Sequence, residues 1–245
     1  MPLTSTKALV LGTSPFNEQD KLVFLLTPRR GILKAIAPGA AKIKNRFGSL
    51  LELFCEGEFH YYWKEDKELV TLSKGEIIHS HFHLVSRPER IFYFYLLAEI
   101  LIKFFPWHSH DNRVFTLTRS ILKNSQTQDQ IQPLLLYFLI WIIHLEGLLF
   151  NPRACTNCQA KNPSEAWVRS DYRGLLCNDC RRDEAVHLSG AELEFLDWVL
   201  ARPPQDAMGW RTRIDCRKLI VLFCRKIEYH GELTLQSTRY LSEFR

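Results

Sequence analysis

Short apolar runs closed by turn residues fill the first 80 positions. KALVLG (7–12) and DKLVFLLT (20–27) are rich in Val and Leu. Gly31 marks a hairpin turn before Ile32–Ala37, and Pro38-Gly39 stops that run. Runs of this kind read as strands. LLELFCEGEFHYYW (50–63) alternates in part, which places Leu51, Leu53 and Cys55 on one side and Glu52 and Glu56 among the opposite set. ELVTLSKGEIIHS (68–80) supplies a fifth strand. Five short strands with no helix between them predict a small closed β-barrel.

After SRPER (86–90) the period lengthens to that of a helix. Pro88 and Glu89 suit a first helical turn, and the helix runs to about Phe105, ahead of Pro106. DNRVFTLTRSILKN (111–124) predicts a second helix, with Val114, Leu117, Ile121 and Leu122 on one face. Residues 128–150 predict a third, apolar nearly all round and so central to a bundle, with Pro133 near its start. Two more follow, over 189–201 and over 213–231, the last closed by Gly231. TLQSTRYLSEFR (234–245) reads as a loose tail. The expected fold class is therefore α+β and multi-domain: a barrel domain over residues 1–80, then an all-α helical domain over 81–245.

Two apolar stretches, 91–105 and 134–145, invite comparison with membrane spans. The first carries Glu99 and Lys103, and the second reaches ten apolar residues before His144. Both fall short of the roughly 18–20 residues a span needs, so buried helices are expected and no membrane role. The opening MPLTSTKALVLG lacks the features of a secretory signal, which predicts a protein that stays inside the cell. At 245 residues, 46% hydrophobic and 24% charged, with a net charge of +5, the chain is ordinary globular material. The placement of the charge matters more than its sum.

Two CxxC pairs interrupt the helical half: Cys155 with Cys158, and Cys177 with Cys180, 18 residues apart. In an intracellular chain this spacing argues for a four-cysteine metal site, a structural zinc centre in an insert over 153–182, rather than for disulfides. Each CxxC turn brings two thiolates to one side, and two turns complete a tetrahedron. Four thiolates leave no coordination position open for catalysis. A thioredoxin-like reading fails because no βαβ unit precedes Cys155. Asn157, Asn178 and Asp179 occupy the expected turn positions. Cys55, Cys216 and Cys224 have no such spacing and are expected in the core.

Basic residues cluster twice. From Lys21 to Leu51 there are seven and no acid: Lys21, Arg29, Arg30, Lys34, Lys42, Lys44 and Arg46. Most lie in two loop-like places, TPRRG (27–31) and GAAKIKNRFG (39–48). On a small barrel this points to nucleic acid, with Phe47, Tyr61, Tyr62 and Trp63 as candidates to stack on bases. Arg217, Lys218, Arg225 and Lys226 recur at a spacing of eight on the last helix and are expected on one face, as a surface for an acidic partner or DNA. No clustered carboxylates indicate a nuclease. The histidine groups HSHFH (79–83) and HSH (108–110) lack supporting carboxylates, so metal binding there is disfavoured.

ALVLGTSPFNEQDKLVFLLTPRRGILKAIAPGAAKIKNRFGSLLELF (8–54) resembles the opening of the RecO recombination-mediator family. The shared features are the ALVL run, the acids Glu18 and Asp20 before an LLT strand, the turn glycine Gly31 and the GA…K…RFG loop. The resemblance continues through the helical part, and the four-cysteine insert stands where many members carry one. It implies an N-terminal OB-fold and a helical domain with a zinc-finger-like element. It also implies a bacterial, cytoplasmic, non-enzymatic DNA repair protein that binds single- and double-stranded DNA and anneals complementary strands. The implied partners are RecR, the acidic C-terminal tail of single-stranded-DNA-binding protein and, functionally, RecA. The family's DNA-contacting bases would fall on Arg29, Arg30, Lys42, Lys44 and Arg46. Ala41 and Ile43 depart from the family's loop, where relatives often have a basic residue and a proline. The competing readings are a protein-interaction adaptor without direct DNA binding, and a nuclease.

Overall fold

The computed structural model describes residues 2–63, 69–85, 87–105, 112–128, 130–181 and 186–242. HSH (108–110), Arg182, Asp183 and Glu184 lie outside them. The chain divides into two compact units, Met1–Leu122 and Lys123–Arg245. The last strand of the first unit ends at His79, and that compact unit also takes in the helices up to Leu122.

In the first unit β1 (Leu3–Pro15), β2 (Lys21–Thr27), β3 (Gly31–Ala37), β4 (Glu56–Tyr62) and β5 (Leu69–His79) close into a barrel in the order β1-β2-β3-β5-β4. All five strands were legible as apolar runs. β3 and β5 run parallel, Lys34 facing Leu69 and Ile36 facing Thr71; the other neighbours are antiparallel. Ala8, Val10, Val23, Leu25, Leu33, Ala35, Phe59, Tyr61, Val70 and Leu72 fill the interior. Period-two alternation accounts for this inner set.

The partial alternation over 50–55 misled. Gly48–Leu51 is a 3-10 turn, and Phe54 adopts a left-handed backbone (φ 59°) before β4 begins at Glu56. Leu50 turns inward and lies against Gly57 of β4 and Gly75 of β5. A Cβ on Gly57 would stand 2.6 Å from Leu50 Cδ1, and one on Gly75 would stand 2.6 Å from Leu50 Cδ2. Those two glycines are bare because the leucine occupies the place their side chains would take. Glu56, expected on the polar side, is buried with only 4% of its surface exposed, and its carboxylate meets Arg119 Nε at 2.9 Å. An ion pair compensates for burying that charge.

Helices follow close to expectation: α1 (Phe82–Val85), an extra short turn, then α2 (Pro88–Phe104) with Pro88 in its first turn, and α3 (Asn112–Ser125), which crosses the division between the units. In the second unit α4 (Gln132–Leu145) is buried along most of its length, as its all-round apolar pattern requires. Tyr137 Oη donates to the Arg202 carbonyl (2.8 Å) and Trp141 Nε1 to the Val199 carbonyl (3.2 Å). α5 (Gly190–Ala201) opens on a capping box: Ser189 Oγ accepts from the Glu192 amide while the Glu192 carboxylate accepts from the Ser189 amide. α6 (Cys216–Gly231) is capped by Asp215, whose side chain accepts from the Lys218 amide. Glu232 (φ 49°), not Gly231, takes the left-handed position after it.

The second unit is not all helix. β6 (Ala166–Val168), β7 (Leu175–Leu176) and β8 (Val186–Leu188) form a small sheet in the order β7-β6-β8. Strands of two or three residues carry too few positions to show a period. The expected loose tail is docked over its described part. Leu235 is buried, its amide donates to Glu228 Oε1 (2.8 Å), and Gln236–Ser242 continues as 3-10 turns. Among the described residues no helix is long and apolar enough to cross a membrane.

Gly57→Ala should lower stability by about 1–3 kcal/mol in urea unfolding, because the new methyl meets Leu50 and the Glu76 carbonyl. The cost should shrink in a Leu50→Ala background, where the leucine no longer fills the space. Equal costs in both backgrounds would refute the packing argument.

Candidate nucleic-acid interface and metal centre

The sequence sets its basic residues in two connections of the barrel, and hydrogen bonds fix both. In the β2–β3 turn, buried Thr27 accepts from the Arg30 amide (3.0 Å) and donates to the Gly31 carbonyl (3.1 Å), with Gly31 at φ 55°. Only a residue without a Cβ takes that conformation without strain. The turn exposes Arg29 and lays the Arg30 guanidinium over the Trp63 ring at 4.2 Å.

The second connection, residues 38–47, is tied at both ends. Gly39 N donates to Asp20 Oδ1 (2.8 Å), and Ala41 N donates to the Gln19 carbonyl (3.0 Å). Asn45 closes the other arm: its Nδ2 donates to the Lys42 carbonyl (3.1 Å), and its Oδ1 accepts from the amides of Phe47 (3.0 Å) and Gly48 (2.9 Å). Lys42, Ile43 and Lys44 are exposed at the tip. Asp20 therefore sits at the foot of a loop whose own sequence is free of acid. Its carboxylate is engaged by backbone N–H, which the residue count alone could not reveal.

The remaining expected contacts divide. Lys21 and Lys34 are half-buried on β2 and β3. Arg46 donates from Nη2 to the Leu72 carbonyl (3.3 Å) and lies over the Phe47 ring at 5.0 Å. Phe47 itself is corrected: only 4% of it is exposed, and it belongs to the barrel core. Its ring cannot stack on a base, because the Asn45 turn points it inward. Tyr61 is likewise core, Tyr62 is exposed, and Trp63 is half-buried against the barrel.

In the second unit the four cysteine sulfurs of Cys155, Cys158, Cys177 and Cys180 lie within 4.8 Å of one another, and among the described residues no other group of His, Cys, Asp or Glu is so placed. A tetrahedral thiolate site with metal–sulfur bonds of about 2.3 Å has edges of about 3.8 Å. Cys158 and Cys177 already stand at 3.6 Å, so the four can hold a metal ion. The first knuckle closes through Cys155 N to the Ala160 carbonyl and Gln159 N to the Cys155 carbonyl, both 3.0 Å, with Gln159 rather than Asn157 left-handed (φ 61°). Asn157 instead links the two CxxC turns, its Nδ2 donating to Cys180 Sγ (3.3 Å). Thr156 joins the first knuckle to the hairpin, its N and Oγ1 both donating to the Leu175 carbonyl at 2.8 Å.

The sulfurs differ sharply in acidity. Burial acts to raise the Cys155 thiol, but backbone N–H groups of Cys158, Cys177 and Asn157 outweigh it and bring it down to about 6. The Ala160 backbone lowers Cys158, yet the sulfurs of Cys180, Cys177 and Cys155 push it up to about 12. Like charges so close cannot all persist without a cation between them. Elsewhere, burial pushes the thiols of Cys55, a core residue, and Cys216 up to about 11; Cys224 is buried as expected, whereas Cys216, expected in the core, is only half-buried at the start of α6. His81, buried beside His79 and His83, is held down at about 4 by burial and then by those neighbours, so it is neutral at ordinary pH. Asp171 is engaged by the Arg169 guanidinium at 3.1 and 2.9 Å.

On α6, Arg217, Lys218 and Arg225 line a groove of about 350 Å³ together with Asp215, Val186, Val221 and Leu222. Lys218 Nζ also meets Glu192 Oε2 at 2.6 Å. Lys226 is corrected: only 1% of it is exposed. At about 100° per residue it stands roughly 180° from Arg217, so the four basic residues span too wide an arc to share one face. Its Nζ donates to the Tyr172 carbonyl, approaches His230 Nε2 at 3.4 Å and lies over the Phe150 ring at 5.3 Å. Burial lowers its ammonium to about 8.

Comparison with known proteins adds to this geometry. Residues 1–81 match the family model "Recombination protein O N terminal", and residues 85–238 match "Recombination protein O C terminal". The chain is similar to the DNA repair protein RecO of Koribacter versatilis, 26% identical over 243 residues, 98% of this chain and 99% of that protein. It is 30% identical to the DNA repair protein RecO of Clostridium novyi over 202 residues, 81% of this chain and 77% of that one.

Replacing Cys177 and Cys180 by serine removes two of four donors and should abolish metal co-purification, read by elemental analysis, and lower Tm. Metal retained by that variant would refute the site. In the unaltered protein, bound metal requires thiolates whose ordinary pKa is 9.0, so binding expels protons. Affinity should therefore fall as pH is lowered, measured by competition with a chromogenic chelator.

Proposed function

The chain belongs to the recombination protein O (RecO) family, and from that premise we propose that it is a non-enzymatic mediator of DNA repair and recombination. It binds single- and double-stranded DNA, anneals complementary strands, and acts with RecR to help RecA load onto DNA covered by single-stranded-DNA-binding protein. RecR and RecA enter through family membership alone. The observation that carries the DNA-binding reading is the loop 38–47: Lys42 and Lys44 are exposed on a backbone tied down by Asp20 and Asn45. Arg29 extends this basic surface from the neighbouring turn.

The mechanism follows from charge. Lysines and arginines that neutralise phosphates release counterions, which supplies affinity and makes it fall with salt. Annealing requires no bond chemistry: two strands held on basic surfaces repel each other less, and base pairing drives the rest. A four-thiolate donor set suits zinc, which takes tetrahedral sulfur coordination and serves structure when no position is left open. The site of action is bacterial cytoplasmic DNA.

A specific feature also supports protein docking. The α6 groove is lined by apolar Val186, Val221 and Leu222 and by basic Arg217, Lys218 and Arg225, with Asp215 as its one acid. That chemistry suits an acidic peptide with apolar side chains, such as the tail of single-stranded-DNA-binding protein.

Charge reversal of Arg29, Lys42 and Lys44 together should weaken binding of a labelled single-stranded oligonucleotide in fluorescence anisotropy. Each lost contact should flatten the dependence of log K on log salt by about 0.7, roughly 2 in all. Arg46 is left intact because it supports the Leu72 carbonyl. An unchanged slope would sink the assignment and favour a pure adaptor. Arg217→Glu with Arg225→Glu should independently abolish binding of an acidic tail peptide while sparing DNA affinity; an unaltered peptide affinity would move the dock elsewhere.

A further inference from the structure

The tip of the loop 38–47 carries an apolar side chain that the phosphate argument does not use. Ile43 is 102% exposed, as bare as in an extended chain. Lone exposed apolar side chains are common and usually mean nothing. Three observations set this one apart. Lys42 and Lys44, both exposed, flank it directly. The backbone beneath is held from both arms: Lys42 N donates to the Gly39 carbonyl (3.2 Å), Gly39 is tied to Asp20, and Asn45 bridges the Lys42 carbonyl to the amides of Phe47 and Gly48. Phe47 is sunk in the core and anchors the C-terminal arm. The isoleucine is thus presented on a rigid support, and its branched Cβ leaves it few rotamers to lose on contact.

The geometry points to Ile43 as a wedge that packs between adjacent bases of single-stranded DNA while Lys42 and Lys44 take the flanking phosphates. This deepens the DNA-binding reading and rests on it. In duplex minor grooves isoleucine is among the side chains that insert between base steps, and the same apolar contact with base faces is open in a single strand. A cation on each side suits a strand whose phosphates flank every base, and suits an apolar protein patch poorly. The single strand is favoured over the duplex because its base faces are open already. Parting a stacked duplex step costs a few kcal/mol, which wedge-bearing proteins recover by bending the duplex onto a wider surface than this loop tip offers. Asn45 is a positioning residue here, since its amide holds the tip in place.

The test uses the full chain and oligonucleotides carrying 2-aminopurine, a base that brightens when unstacked. The unaltered protein should bind a single-stranded oligonucleotide and raise its fluorescence. Ile43→Ser should bind about fivefold more weakly with the same salt slope, and the rise should be lost. Ile43→Leu should restore it. Lys42→Ala with Lys44→Ala should instead flatten the salt slope. Because Ile43 touches nothing that folds the barrel, circular dichroism of all variants should match. Equal affinity and equal brightening with serine at 43 would overturn the wedge while leaving DNA binding intact. Greater brightening of an internal duplex base than of the single strand would overturn the choice of ligand. Absence of any single-strand binding by the unaltered protein would overturn both readings.

Discussion

One strand serves two partners, and the barrel depends on it. β1 pairs with β4 over residues 3–9 and with β2 over residues 9–15, and Leu9 faces both Leu26 and Glu56. The register shift between Val10 and Gly12 lets the strand bend far enough to do both. Closure removes the sheet's edges and leaves a narrow interior. Ala8, Ala35 and Ala37 face inward beside larger residues because the lumen has no room for more. A lumen filled with side chains cannot hold a ligand, so the chemistry of this unit resides in what its connections present outside. Leu50, lodged against Gly57 and Gly75, anchors the connection from β3 to β4.

The basic residues sort by what they touch. Arg119 neutralises buried Glu56, Arg46 satisfies a β5 carbonyl, Arg153 meets Asp197, Arg169 meets Asp171, Arg213 meets Glu194, and Lys226 is sealed beneath Tyr172. Each of these cations is engaged by a carboxylate or a carbonyl of the protein itself. Lys42 and Lys44 differ in kind, standing exposed on a loop whose rigidity comes from other side chains. A net charge of +5 therefore understates how unequally the charge is disposed. Preorganised charge of this sort binds phosphate without first losing much conformational freedom.

How far the fold could be read from sequence depended on the length of each pattern. Five strands and the long helices α2 to α6 announced themselves because each repeats its period over several residues, and Ser189 with Glu192 signalled the start of α5. The failures were local. Leu51, Leu53 and Cys55 mimic alternation across a 3-10 turn and a left-handed Phe54. Phe47 beside Arg46 looked like a stacking pair, but the Asn45 turn directs its ring into the core. Lys226 was grouped by a spacing of eight with residues that the helical angle parts from it. β6, β7 and β8 are too short to have a period. Elsewhere a contact distant in sequence decided the outcome: Arg119 for Glu56, Tyr172 for Lys226, Asp20 for the loop at Gly39. The cysteine quartet was the opposite case, because two fixed spacings sufficed to bring four sulfurs together.

The same quartet bears on more than its own insert. Four thiolates around a divalent ion carry a net charge of −2, and Lys161, Arg173 and Arg181 lie in the same segment, Arg181 stacked over Trp167 at 4.9 Å. A centre of that charge would offset part of the segment's basic excess. The insert extends outward through hydrogen bonds. Thr156 of the first knuckle holds the Leu175 carbonyl, β7 pairs with β6, and β6 pairs with β8, Val168 facing Val186. Val186 is also part of the groove beside Arg217, Val221 and Arg225. Ordering of the four sulfurs is thereby tied to ordering of one wall of the α6 groove. A metal held by those sulfurs would thus bear on the shape of a surface formed jointly with another element.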